Sequence, residues 1–155
     1  MSICAGARSS GIGFSLAATL LLAGCAGADR MREVPLTAGS QVSFQAPNEH
    51  VRRAAREALM HAKYEITEEK QVDENTYTVL GLMGVGWQSN GQWGRVVVRK
   101  LSESESRAWI HTMKRIEMNI TENIDITRTA VQKYMLELVE LYKEDDKAAA
   151  RRQGR

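Results

Sequence analysis

The sequence predicts an α+β fold: an antiparallel sheet of four to five strands with two helices packed on one face, in the order β-α-β-β-β-α. Three observations predict it. Two segments, 48–62 and 125–142, carry apolar residues at helical spacing, and they flank a run of segments that alternate apolar and polar residues. Inside that run lies Asn90-Gly91, a strong hairpin signal, because a two-residue mirror-type turn favours positive φ at both positions. No internal repeat or low-complexity block breaks the pattern.

Each element follows from its residues. Gln41–Ala46 alternates, with Val42 and Phe44 on one side, and reads as a short half-buried strand. Pro47-Asn48 then opens a helix with Asn48 as N-cap. Val51, Ala54, Ala55, Ala58, Leu59 and Ala62 form its stripe, and the alanines predict close packing on the sheet. Glu49 with Arg53 and Arg53 with Glu57 are favourable four-residue pairs. Tyr64–Thr67 is a second strand, and Glu68–Glu74 is expected as a charged turn. With Asn90-Gly91 as the turn, Ser89 pairs with Gln92, Trp87 with Gly94, Val85 with Val96 and Met83 with Val98. Tyr77, Val79, Met83, Val85, Trp87, Val96 and Val98 then share one apolar face, and Trp87 covers the strand glycine Gly94. Arg107–Met118 is the last strand, and a five-residue loop sets Ala108, Ile110 and Thr112 beside Lys100, Val98 and Val96. Thr121 and Asp125 are candidate caps for the final helix, whose stripe is Val131, Tyr134, Leu138 and Leu141, widened by Met135 and Tyr142.

A chain of 155 residues with 43% apolar and 26% charged residues suits one ordinary globular domain. A net charge of +2 supplies no overall field to hold nucleic acid, so no nucleic-acid partner is expected. The N-terminus is different in kind. Arg8 is followed by a charge-free apolar run from Gly11 to Ala23, too short for a spanning helix and suited to a signal-peptide core. The run ends in Leu22-Ala23-Gly24-Cys25.

Those four residues resemble the bacterial lipobox, in which the cysteine is lipidated and becomes the first residue of the mature protein. The resemblance implies a lipoprotein signal peptide over 1–24 and a membrane anchor of several acyl chains on Cys25, which is stable where one chain is marginal. Cys25 is then the only mature cysteine, its sulfur is consumed, and no disulfide forms. In the enteric version of this signal, an aspartate after the cysteine retains the protein in the inner membrane. Ala26 stands there in this chain, which implies the outer membrane, facing the periplasm. Residues 25–40, small and polar with Pro35, are expected as a flexible tether, 41–145 as a single α+β domain and 146–155 as a charged, fraying tail. The lipobox with this element order resembles small envelope lipoproteins, and loosely the compact domains of lipoproteins that accompany outer-membrane assembly machines.

The chemistry-bearing residues point away from catalysis. Gly81, Gly84, Gly86, Gly91 and Gly94 run through a hairpin rather than opening a helix, so they do not form a phosphate-binding loop. His50 and His61 stand about 16 Å apart along their helix, and neither an HExxH nor a Cys/His metal spacing exists. No GxSxG and no mature thiol offers a nucleophile. No cofactor or metal is expected. One constellation remains. The outer sheet face collects Trp93, Arg95, Val97 and Arg99 beside Arg115, Met113, His111 and Trp109 in that order, so that Arg99 and Trp109 stand side by side, flanked by Leu80 and Leu82. Arg and Trp are enriched in binding hot spots. Trp93, Arg95, Arg99, Trp109, His111 and Arg115 are therefore the candidate surface for an envelope protein partner. The alternatives are that arginine stems merely shield the rings, or that the tether or a symmetry-related copy of the chain covers the face. The function expected is a non-enzymatic binding or structural accessory lipoprotein, with a small envelope hydrolase acting on wall or lipid substrates as the alternative. On an open outer face, Arg95→Asp is expected to be far milder than Val96→Asp.

Overall fold

The computed structural model describes residues 27–84, 91–115 and 123–153. Residues 27–33 are helical and are termed α1. There follow β1 (Ser40–Phe44), α2 (Asn48–His61), β2 (Tyr64–Asp73), β3 (Thr76–Met83), β4 (Gln92–Lys100), β5 (Ser106–Lys114) and α3 (Ile124–Gln153). The strands make one five-stranded antiparallel sheet in the order β1-β5-β4-β3-β2. β2 to β5 form a meander, and β1 joins the far edge beside β5. The α+β class, the antiparallel sheet and the packing of α2 and α3 on one face are as the periodicity predicts.

The inner face of the sheet meets α2 and α3. Tyr77, Val79, Val96, Val98, Ala108 and Ile110 are buried there with Val51, Ala54, Ala55, Ala58 and Leu59 of α2. The α3 side of this core is Val131, Met135, Val139 and Tyr142. This stripe differs from the expected one: Tyr134 and Leu138 are only partly buried and Leu141 is exposed. The helices also lock through polar edges. Tyr142 Oη donates to Glu57 Oε2 at 2.5 Å, and Arg53 bonds Glu57 at 2.9 Å while stacking on the Tyr142 ring. His50 lies 3.1 Å from Asp146, and His61 stacks on Tyr134. α2 and α3 therefore run antiparallel.

Several expectations need correction. The N-cap of α2 is Pro47, with no side-chain cap bond, rather than Asn48. β2 does not end at Thr67. It continues to Asp73 through register shifts between Ile66 and Glu68 and between Gln71 and Asp73. The expected charged turn is therefore mostly edge strand, whose exposed polar side chains suit solvent. The turn itself is tight, with Asp73 Oδ1 accepting from the Asn75 N–H at 2.9 Å.

The β3–β4 register also differs. Met83 pairs with Gln92, Gly81 with Gly94, Val79 with Val96 and Tyr77 with Val98. The two strands are thus six residues out of the register that a two-residue Asn90-Gly91 turn imposes. The slip is even, so every side chain keeps its expected face. The ring over Gly94 is that of Tyr64. A Cβ at Gly94 would lie 2.8 Å from Tyr64 Cε1, and one at Gly81 2.9 Å from Tyr64 Cβ. The glycine pair thus makes room for a buried tyrosine whose hydroxyl meets Gln92 Oε1 at 3.1 Å. β5 is likewise shifted by two residues, with Val98 opposite Ala108 and Val96 opposite Ile110. α3 stays helical to Gln153, where a fraying tail was expected from residue 146. The signal segment with Cys25, the residues Val85, Trp87 and Asn90, and the stretch containing Met118 and Thr121 lie outside the described residues.

Candidate functional site

The outer face of the sheet assembles as the alternation predicts. Across β4 and β5, Trp93 pairs with Met113, Arg95 with His111, Val97 with Trp109 and Arg99 with Arg107. Leu82 and Leu80 of β3 flank Trp93 and Arg95. Arg99 lies diagonal to Trp109, its guanidinium 5.9 Å from the ring centroid.

The face is not open, however. Trp93 and Arg95 are each 4% exposed and Trp109 is 7% exposed. Over the Trp93–Arg95 part, the cover is the chain's own N-terminal segment. Ala28 and Met31 pack with Leu80 and Trp93, with Leu82 and Met113 alongside, as a second small core. The segment expected to be a flexible tether is helical over residues 27–33 and docked on the sheet.

Arg95 explains how the segment is held. Its Nη1 donates to the carbonyls of Met31 (2.7 Å) and Val34 (2.9 Å), and Nη2 to that of Pro35 (2.8 Å). The C-terminal end of a helix presents orphan carbonyls and the negative end of the peptide dipoles. A buried guanidinium placed there satisfies them and has its own charge balanced without a carboxylate. Burial lowers the Arg95 pKa from its ordinary value. Arg32 adds a peripheral tie, with Nε and Nη2 on Glu68 Oε2 at 2.9 and 2.7 Å and Nη1 on Asp29 at 2.7 Å. At the other end of α1, Gly27 lies flat on the Trp93 indole: a Cβ there would stand 2.5 Å from Trp93 Nε1. Only glycine allows this approach.

Of the six candidate partner-binding residues, then, Trp93, Arg95 and Trp109 are buried. His111 and Arg115 are partly exposed and Arg99 is exposed. The pKa of His111 is lowered by burial and by the nearby Arg95 and Arg128, which suits a neutral imidazole. The signal for a covered face is present in the sequence: Leu80, Leu82, Trp93, Val97, Trp109 and Met113 form too continuous an apolar surface for water.

Concave sites among the described residues include the following two. On the outer face, a cavity of about 230 Å³ lies between the N-terminal segment and the sheet, lined by Arg32, Leu36, Lys70, Thr78, Leu80 and Arg95 among others. A wider groove beside α2 is lined by Asn48, Arg52, Arg53, Arg56, Tyr77 and Lys100 among others. Its charges are largely engaged. Arg56 bonds Glu69 at 2.9 Å, Tyr77 Oη donates to Glu69 at 2.5 Å, Lys100 pairs with Glu103 and Arg52 stacks on the Tyr77 ring. The Tyr77 hydroxyl and the Arg56 guanidinium hold the Glu69 carboxyl below its ordinary pKa. The Tyr142 hydroxyl and Arg53 do the same for Glu57, and burial together with Glu57 pushes Tyr142 up to about 12. These carboxylates stay ionised at neutral pH and act as acceptors, Glu69 tying α2 to the sheet and Glu57 tying α2 to α3, the opposite of the raised pKa a general acid needs. Among the described residues, no group of three His, Cys, Asp or Glu side chains is placed to hold a metal ion, and no helix is long and apolar enough to cross a membrane. No protein-family model matches the chain, and no curated protein matches it.

Proposed function

We propose that this chain is a lipid-anchored envelope lipoprotein, held by acylated Cys25 and acting as a non-enzymatic binding or structural accessory module at the periplasmic side of the outer membrane. The observation that carries the proposal is Leu22-Ala23-Gly24-Cys25 at the end of an uncharged apolar run. The packing of the domain supports it: Arg95 is used to hold the N-terminal segment, and the groove carboxylate Glu69 serves as a fixed acceptor for Arg56 and Tyr77. The surface left for an envelope partner on the outer face is centred on Arg99 and the Lys70–Thr78 side of the cavity, in place of Trp93 and Arg95.

Mass spectrometry of the mature protein tests the anchor. The expected N-terminal residue is Cys25 carrying acyl chains, and Cys25→Ser is expected to leave an unprocessed, unacylated precursor. An intact or differently cleaved N-terminus on the wild-type protein contradicts the proposal.

A further inference from the structure

We infer that the cavity between the N-terminal segment and the outer face of β2, β3 and β4 is a binding site for a small monocarboxylate with a short apolar tail, and that its occupancy is linked to the docking of α1. The inference goes beyond the accessory role and does not depend on the lipid anchor.

Three observations lead there. The first is the make-up of the walls. At about 230 Å³ the cavity is smaller than the roughly 300–1,000 Å³ of pockets for drug-sized ligands, so its occupant is small. Leu36, Val72 and Leu80 line it with apolar surface, and Arg32, Lys70 and Arg95 set three cations against one carboxylate, Glu68. Asp29, the second partner of Arg32, is a further carboxylate close by. Three positive charges and two negative ones leave +1. That balance suits one negative charge, and Glu68 in the wall opposes the second charge of a phosphate dianion.

The second is which donors the fold leaves unused. Arg32 is engaged by Glu68 and Asp29. Arg95 gives Nη1 and Nη2 to the carbonyls of the N-terminal segment, while its Nε–H is buried without a hydrogen-bond partner among the described residues. The Lys70 side chain is exposed and makes no hydrogen bond or ion pair among the described residues. Thr78, its cross-strand partner, donates its hydroxyl to the Lys70 carbonyl at 3.4 Å, longer than an ordinary O–H···O bond. One wall therefore presents an ammonium and a loosely held hydroxyl side by side, which suits the two oxygens of a carboxylate. The third is ownership. Arg32 and Leu36 belong to the N-terminal segment and the other walls to the sheet, so the cavity exists only while α1 is docked. A ligand that needs both halves binds the docked state alone. At a free concentration ten times its Kd it suppresses release of α1 about elevenfold.

The test is hydrogen–deuterium exchange of the purified protein with hexanoate, compared with hexanol and hexylammonium at equal concentration and ionic strength. Millimolar hexanoate is expected to slow the amides of residues 30–33 several-fold, and the other two compounds to leave them unchanged. Lys70→Met removes a side chain with no partner among the described residues and should abolish the hexanoate effect, while Lys70→Arg should retain it. Intermolecular NOEs are expected from the hexanoate tail to the methyl groups of Leu36, Val72 and Leu80. Hexanoate without effect on residues 30–33 overturns the site. Equal slowing by hexanol, or a hexanoate effect that survives Lys70→Met, overturns the carboxylate assignment. NOEs only to residues outside these walls overturn the cavity as the place of binding. Each of these outcomes leaves the lipoprotein proposal to the mass spectrometry of Cys25.

Discussion

Val96→Asp is expected to unfold the protein. Val96 has no solvent exposure and sits in the middle of β4, between Val79 and Ile110 on the face that packs against α2 and α3. The buried residues around it in that cluster are apolar. An ionised carboxylate there is unpaired, and a protonated one still leaves two polar oxygens without partners. The cost is about 4 kcal/mol or more, set against the ~5–15 kcal/mol total stability of an ordinary domain. Circular dichroism on heating should show a transition lowered far enough that little folded protein remains at 37 °C. Val96→Ala, which removes only apolar volume, should retain a cooperative transition at a lower midpoint.

Arg95→Asp is expected to have the second largest effect, of a different kind. An open outer face predicts that this substitution is mild. The structure overturns that reason, because Arg95 is 4% exposed and donates three hydrogen bonds to the carbonyls of Met31, Val34 and Pro35. An aspartate replaces these donors by a second set of acceptors. Charge-assisted bonds contribute about 1.5–3 kcal/mol each when removal strands a partner. Here the partners have an escape, since α1 can leave the face and return its carbonyls to water. The loss is therefore capped by the docking free energy of the N-terminal segment. The main core does not include Ala28 or Met31, so local release of residues 27–36 should precede global unfolding. The readout is a red shift of Trp93 emission and rapid proteolysis within 27–36, with the cooperative transition of the sheet retained. Arg95→Lys should recover only part of the wild-type behaviour, because a single ammonium cannot reproduce the two-nitrogen fork that spans carbonyls of residues 31, 34 and 35.

These two substitutions mark what periodicity does and does not carry. The inner face was legible because Val79, Val96 and Val98 alternate with polar or outward residues, and Val51 through Leu59 repeat at helical spacing. The β3–β4 register was not legible. A slip of six residues leaves the parity of every side chain intact, so the apolar pattern is equally satisfied by both registers. The turn rule then decided in favour of the tight hairpin, although Gly91, with φ of +92°, stands just outside the start of β4. α1 was hidden for another reason. Gly27–Glu33 contains only Ala28 and Met31 as apolar residues, too few to define a helical stripe. Its observed contacts are with a sheet face that needs cover and with a buried arginine that needs carbonyls. The alternation of β4 and β5 places these side chains on one face, while their exposure depends on contacts with residues 28–35.

Hydrogen–deuterium exchange of the purified protein measures the docking of α1 most directly. Amides of residues 30–33 should exchange far more slowly than those of an unstructured peptide, and Arg95→Asp should raise their rate toward the unstructured limit while β4 and β5 stay protected. Wild-type amides at 30–33 exchanging at the unstructured rate, with the sheet still protected, would contradict the docking of α1 on the sheet and restore a free tether.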